Sequence, residues 1–371
     1  MSAHKQHPLV AHQPLRLLFQ VSYIVAVLLL LPYYGIISLI PSLRPIRSWT
    51  ARQTFMSRLI YPFLDAQSRV GITETLNLKS RSEGERFQTL PVPSSDLFKG
   101  PLVSKTARPA KVGGTWFPNM PDGDVTSKTV VLYFHGGAFV QGDGRTAAYG
   151  SIAKKFLDTG TANAVFSLQY RLSGYGGLNP FPAALQDALS SYVFLLDTLH
   201  IPPAQILLGG DSAGANLAVA LLRYLHEFES VIHKPNPKCA ILISPWVEPF
   251  YYDSRGNPHR GTDFIPGTFG VWGAHSYAGS RPDPETDPYI TLSRNPFPTP
   301  VPIFVSAGTA ELFFERITKW VLEMRGIKGN TVELYNEENA VHDTFFVGDL
   351  MGFADSAWLV AAQMAEFVKK L

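Results

Sequence analysis

The stretch from Ile206 to Leu225 limits the possible folds of this chain more tightly than any other. An apolar run, Ile206-Leu207-Leu208, meets Gly209-Gly210-Asp211-Ser212-Ala213-Gly214-Ala215-Asn216, and a helical pattern follows over Leu217 to Leu225. A strand that bends sharply into a helix through Gly-x-Ser-x-Gly is a nucleophile elbow. The bend projects the serine hydroxyl, and small neighbours leave room for substrate and base. So short a pattern also recurs by chance in a chain holding 30 glycines, so the surrounding sequence must agree with it.

The surroundings do agree. Alternation begins near Val112 and continues with a β-branched strand over Thr129 to Phe134, a helix over Ala147 to Asp158 and a strand over Ala164 to Leu168. A helix over Pro182 to Leu199, a strand over Gln205 to Leu208, a helix over Ala213 to Phe228 and a strand over Cys239 to Ser244 come next. The series closes with a strand over Val301 to Ser306, a helix over Phe313 to Met324, a strand over Thr331 to Tyr335 and a helix over Phe353 to Val368. Repeated strand-helix units predict an α/β fold with a mostly parallel sheet and helices on both faces.

One interruption stands out. Between Pro245 and Pro302 lie 11 of the 29 prolines, with Trp246, Phe250, Tyr251, Tyr252, Phe264, Phe269, Trp272 and Tyr277 among them. This reads as an insertion over the C-terminal edge of the sheet, where open α/β folds bind ligands, and its aromatic residues predict an apolar pocket.

Upstream, Leu17 to Leu43 is 27 residues without a formal charge. Roughly 20 apolar residues cross about 30 Å of hydrocarbon, so this segment is long enough to span a bilayer. No small-x-small cleavage site follows the apolar block, which favours a retained anchor over a removed signal. Arg44, Arg47, Arg52 and Arg58 on its C-terminal side outnumber Lys5 and Arg16 on the other, a bias that favours a cytosolic body. The division expected is a tail over 1–16, an anchor over 17–43, a cap or linker over 44–110 that is polar and irregular from Thr73 to Pro109, and a catalytic domain over 111–371 with a cap insertion at about 246–300. Within the linker, Phe55, Leu59 and Phe63 recur at helical spacing.

Composition excludes some alternatives. Net charge is +2 with no long basic run, so nucleic acid is not an expected partner. The single cysteine, Cys239, sits in an apolar run and reads as a buried thiol, so no disulfide, zinc or redox site can be built on it and no cofactor is expected.

Serine needs a base to take its proton and an acid to orient that base. Of 10 histidines, His4, His7 and His12 precede the apolar segment, His200, His226 and His233 fall at or beyond helix ends away from the elbow, and His259 and His275 lie in the insertion. His342 follows the last predicted strand in the loop Ala340-Val341-His342-Asp343, where an elbow enzyme presents its base. Glu311, in Gly308-Thr309-Ala310-Glu311-Leu312, follows the penultimate strand and is the candidate acid; Glu315, one helical turn on, could compete, while Asp343 adjoins the base but points to the opposite side if that loop is extended. Glu311 also suits the first turn of the next helix, where a negative charge is favourable. Backbone donors for an oxyanion are expected from Gly136 and Gly137, in His135-Gly136-Gly137-Ala138, and from Ala213.

These motifs resemble the hormone-sensitive-lipase-like branch of the α/β-hydrolase family over roughly Val112 to Leu371. The resemblance rests on His135-Gly136-Gly137-Ala138, on Tyr170-Arg171-Leu172 with Phe181-Pro182-Ala183-Ala184-Leu185 and Asp187, on the elbow, and on the late acid and histidine. It implies an eight-stranded sheet, a mobile cap and carboxylester hydrolysis through a serine acyl intermediate. Ala138 replaces a glycine common in the oxyanion loop, and many relatives place an aspartate where this chain has Ala310. Asp187 and Asp211 resemble positions that brace the turn and nearby loops. With the anchor, the whole resembles fungal membrane-bound esterases, including steryl acetyl hydrolases. Three readings stand at this point: a membrane-anchored serine hydrolase cleaving esters of apolar alcohols or acids; an amidase, deformylase or biosynthetic cyclase with the same triad; and a binding protein that keeps the shell without turnover.

Overall fold

The computed structural model describes residues 6–251 and 256–371, so His4, Lys5 and Tyr252 lie outside the described residues. Its centre is one sheet of eight strands: β1 (Phe87–Leu90), β2 (Val112–Phe117), β3 (Val130–Phe134), β4 (Ala164–Gln169), β5 (Ile206–Asp211), β6 (Cys239–Ile243), β7 (Ile303–Gly308) and β8 (Val332–Glu337). Their order is β1-β2-β4-β3-β5-β6-β7-β8. β2 runs antiparallel to β1 and β4, and every other neighbouring pair is parallel. The C-terminal ends of β3, β5, β7 and β8 therefore share one edge.

The strand β1 corrects the reading of 73–109 as irregular. Only Phe87 and Leu90 of its four residues are buried, so it is too short to show alternation, and it is defined by pairing with β2.

Ten helices accompany the sheet: α1 (Leu15–Leu39), α2 (Ala51–Val70), α3 (Thr146–Asp158), α4 (Ala183–Val193), α5 (Ala213–Glu227), the single turn α6 (Glu229–Ile232), α7 (Gly267–Ala278), α8 (Phe314–Arg325), α9 (Thr344–Met351) and α10 (Ala354–Lys369), counted among the described residues. Leu185, Leu189, Leu222 and Trp320, on α4, α5 and α8, bury one sheet face. Tyr149, Phe156, Val360 and Met364, on α3 and α10, bury the other. Central strands covered on both faces read as continuous apolar runs, as Val130 to Phe134 does.

The helix α1 touches the body along one stripe. Phe19, Tyr23, Val27 and Leu31 are half-buried and Ile37 and Ser38 are buried, while Leu18, Ile24, Leu28, Leu29 and Leu39 are exposed. That spacing of three to four residues is one face of a helix, and it rests on α2. Thr50 starts α2 with a reciprocal capping box to Gln53, and Gly71, at φ 64°, ends it. Asp65 of α2 joins three elements: one carboxylate oxygen accepts from Tyr23 of α1 at 2.6 Å, and the other from Thr268 of α7 at 2.6 Å. A small third cluster links Trp49, Phe264, Ala310, Val341 and Met351, so the start of α2, the insertion and two sheet-edge loops pack together.

Candidate active site

Ser212 stands at the junction of β5 and α5 with φ 49° and ψ −112°, a conformation that a non-glycine residue adopts only when its surroundings enforce it. The enforcement is visible. Its amide donates to Ile243 O at 2.9 Å, and its carbonyl accepts from Asn216 N at 3.1 Å and Trp246 N at 3.0 Å. Gly214 carries no β-carbon because one would lie 1.9 Å from Phe134 O, so the helix can press against β3. The Ser212 side chain remains partly open to solvent.

His342 follows β8 and is buried, with Phe313 edge-on at 5.2 Å and Phe264 at 6.4 Å between ring centres. Glu311 follows β7 and is fully buried, and its Oε2 lies 3.7 Å from His342 Nδ1. That is ion-pair range and longer than a direct hydrogen bond. Glu311 Oε2 also accepts from Ser244 Oγ at 2.5 Å and Gly308 N at 3.2 Å. Glu311 Oε1 and His342 Nδ1 are buried without a hydrogen-bond partner among the described residues. Gly308 allows the acid and base loops to cross, because a β-carbon there would lie 2.4 Å from Ala340 O. Burial works to lower the His342 pKa, but the adjacent Glu311, then Asp263 and Asp211, outweigh it and raise the pKa above the ordinary value.

The turn after β3 supplies the remaining polar surface. Gly137 adopts φ 96° and is partly open, and Ala138 and Phe139 follow at φ 52° and 64°. A β-carbon on Gly136 would lie 2.1 Å from Asp211 Oδ2, and the Gly136 amide serves that carboxylate. Of the three expected oxyanion donors, Gly136 is thus turned toward Asp211. Gly137 stays at the surface of the turn, and Ala213 holds a first-turn amide of the kind a helix leaves without an internal acceptor. Aromatic residues of the insertion pack on this turn, with Tyr277 stacked on Phe139 at 3.6 Å and 7°.

Several residues here escaped the sequence. Asp263, in the insertion, is buried and accepts from Leu312 N at 2.7 Å, Phe264 N at 2.8 Å and His342 N at 3.3 Å, so it ties the acid and base loops to the cap. Burial pushes its pKa up to about 6 against the opposing field of His342. Ser244 joins the acid to the base loop, since its Oγ also accepts from Asp343 N at 3.0 Å. Both contacts span many residues in chain, and neither leaves a local pattern. Asp343 differs from the extended-loop reading: at φ 52° it caps α9 and turns its carboxyl to Asp211 beneath the elbow. Burial, then the Asp211 charge, push the Asp343 pKa well above the ordinary carboxylate value, and Asp211 also accepts from Tyr133 at 2.6 Å. Asp187 braces the preceding loop through Arg171 Nη2 at 2.7 Å. Glu315, the other competitor for the acid, lies in the first turn of α8.

A family model described as alpha/beta hydrolase fold matches residues 131–346. The chain belongs to the alpha/beta hydrolase fold family, in its hormone-sensitive-lipase-like branch. It is 33% identical over 186 residues to an acetyl-hydrolase of Streptomyces hygroscopicus, covering 50% of this chain and 54% of that protein. It is 31% identical over 132 residues to human arylacetamide deacetylase-like 2, covering 33% and 30% respectively. The matches thus span about half the length of these curated relatives or less. Among solved structures, a hormone-sensitive lipase from a metagenome library superposes with a TM-score of 0.56 at 23% identity, over 70% of this chain and 82% of that one.

Proposed function

We propose that this chain is a serine hydrolase that cleaves carboxylic esters of apolar substrates through an acyl-enzyme. The observation that carries this reading is the strained Ser212 on the same sheet edge as a buried His342 beside a buried Glu311. His342 Nε2 takes the Ser212 hydroxyl proton as Oγ attacks the carbonyl carbon, and the carbonyl electron pair moves to its oxygen. That oxyanion is met by the amides of Gly137 and Ala213, with Gly136 fixing the turn through Asp211. Collapse breaks the bond to the leaving alkoxide, which takes the proton from the imidazolium, leaving acyl-Ser212. Water then gives its proton to His342 and attacks the ester, and the acid leaves as Ser212 recovers its proton. Glu311 stabilises the imidazolium formed in each half-reaction.

The relatives named acetyl-hydrolase and deacetylase-like support acyl transfer to water as the chemistry. The helix α1 supports association with a membrane, since it is 25 residues long, strongly apolar and exposed along most of its surface. Ser212→Ala tests the assignment. The wild-type protein is expected to hydrolyse nitrophenyl acetate and to be labelled by a fluorophosphonate. The variant is expected to lose the label completely and turnover by at least a thousandfold, and unchanged turnover would refute the reading.

A further inference from the structure

A groove of about 1090 Å³ runs between α1 and α2, slightly above the range of about 300–1,000 Å³ typical of small-molecule sites. Its walls are uneven in chemistry. Val21, Ile24, Val27 and Leu28 face Ile60 and Phe63 along its length. Its polar residues, Gln13, Arg16, Gln20, Gln67 and Gln141, gather at one end. They meet there because α1 and α2 form an antiparallel hairpin, with Tyr23 opposite Asp65, which brings the start of α1 to the end of α2.

That polar end is tied to the turn after β3 through Gln141. The Gln141 amide donates to Gly137 O at 3.0 Å and its side chain donates to Gln67 at 2.7 Å, so the residue that closes the oxyanion turn also closes the groove. Ser212, Glu311 and His342 do not line it. One wall is α1 itself, the helix whose remaining surface is exposed hydrocarbon, so the apolar part of the groove is continuous with a surface suited to lipid.

We propose that this groove holds the hydrocarbon chain of an ester lipid taken from a bilayer, with the polar end of that lipid at Gln67 and Gln141 and its carbonyl directed to the Gly137 turn. The proposal rests on the esterase reading, and it names the substrate class: long-chain amphiphilic esters presented from a membrane. A chain with a polar end matches both the walls and their polarity gradient, whereas a free aqueous ester uses only the polar end.

The test uses the full chain in phosphatidylcholine vesicles. Val21→Trp and Ala66→Trp place bulk in the groove from opposite walls, while Leu29→Trp changes an exposed α1 residue that does not line it. The ratio of nitrophenyl palmitate to nitrophenyl acetate turnover is expected to fall at least tenfold in both groove variants and to stay at the wild-type value in Leu29→Trp. Independently of turnover, Ser212→Ala is irradiated with a diazirine-bearing palmitoyl ester, and labelled peptides are expected from α1 and α2. Labelling is read even if no ester is hydrolysed, so failure of the esterase reading and failure of the groove are told apart. An unchanged ratio in both variants overturns the proposal. So does labelling confined to other segments, or cross-linking through the groove to a second copy of the chain in place of lipid.

Discussion

Replacing Glu311 by Gln removes one charge and keeps the shape that Ser244 and Gly308 bind. The Glu311 oxygen is 3.7 Å from His342 Nδ1, and both side chains are almost inaccessible to water. Two unit charges at that separation, at an effective dielectric of about 20, attract by about 4.5 kcal/mol. This attraction exists only once the imidazole is protonated, so it acts on the transition state for deprotonating Ser212. At 1.36 kcal/mol per decade it corresponds to a loss of about a thousandfold in kcat. The measurement is steady-state hydrolysis of nitrophenyl acetate by the purified full chain, with circular dichroism melting as a check on folding. Asp263→Asn run in parallel separates the two buried carboxylates. Asp263 holds backbone amides of both loops, and weakening a hydrogen bond to a charged acceptor, worth about 1.5–3 kcal/mol, is expected to lower kcat by about tenfold to a hundredfold. If Glu311→Gln keeps kcat within fivefold of wild type while Asp263→Asn is inactive, the acid is Asp263 and the argument from the loop after β7 is wrong.

The pH dependence of kcat/KM follows from His342, which must be neutral to accept a proton. Its pKa is raised, so activity is expected to climb with pH through a midpoint above the ordinary histidine value of about 6.5, and a midpoint below that value counts against Glu311 as its partner. Gly214→Ala introduces a β-carbon 1.9 Å from Phe134 O at the foot of the elbow. It is expected to lower the melting temperature by several degrees, corresponding to about 1–3 kcal/mol of overpacking, and an unchanged melting curve shows that α5 can move away from β3.

The parts of the site legible in the sequence are those whose geometry is local. Gly-x-Ser-x-Gly between an apolar run and a helical one specifies a bend, and His135-Gly136-Gly137 after a β-branched strand specifies a turn that backbone can approach, so both were readable without a partner in view. His342 and Glu311 were placed by strand order, which the alternation supplies. Asp263 is hidden because two of its three donors, the amides of Leu312 and His342, lie far along the chain, and nothing around it in a proline-rich insertion marks it apart from other aspartates. The helix α9 was missed for a different reason: Thr344-Phe345-Phe346-Val347-Gly348 has poor helix propensity, and the element is held by the Asp343 cap and by packing on α10. The apolar content of α1 announced its length, but its stripe of contact with α2 depends on the Tyr23 and Asp65 pair, which are 42 residues apart.

Asp65 receives Tyr23 on one oxygen and Thr268 on the other, so a single carboxylate fastens the N-terminal helix and the cap to the same strut. An enzyme body swinging on a slack tether samples every heading, and its opening meets molecules from all sides. Here the heading of the opening relative to the long axis of α1 is set when the chain folds, so in the proposed membrane-bound state the layer that receives that axis also decides the side from which molecules arrive.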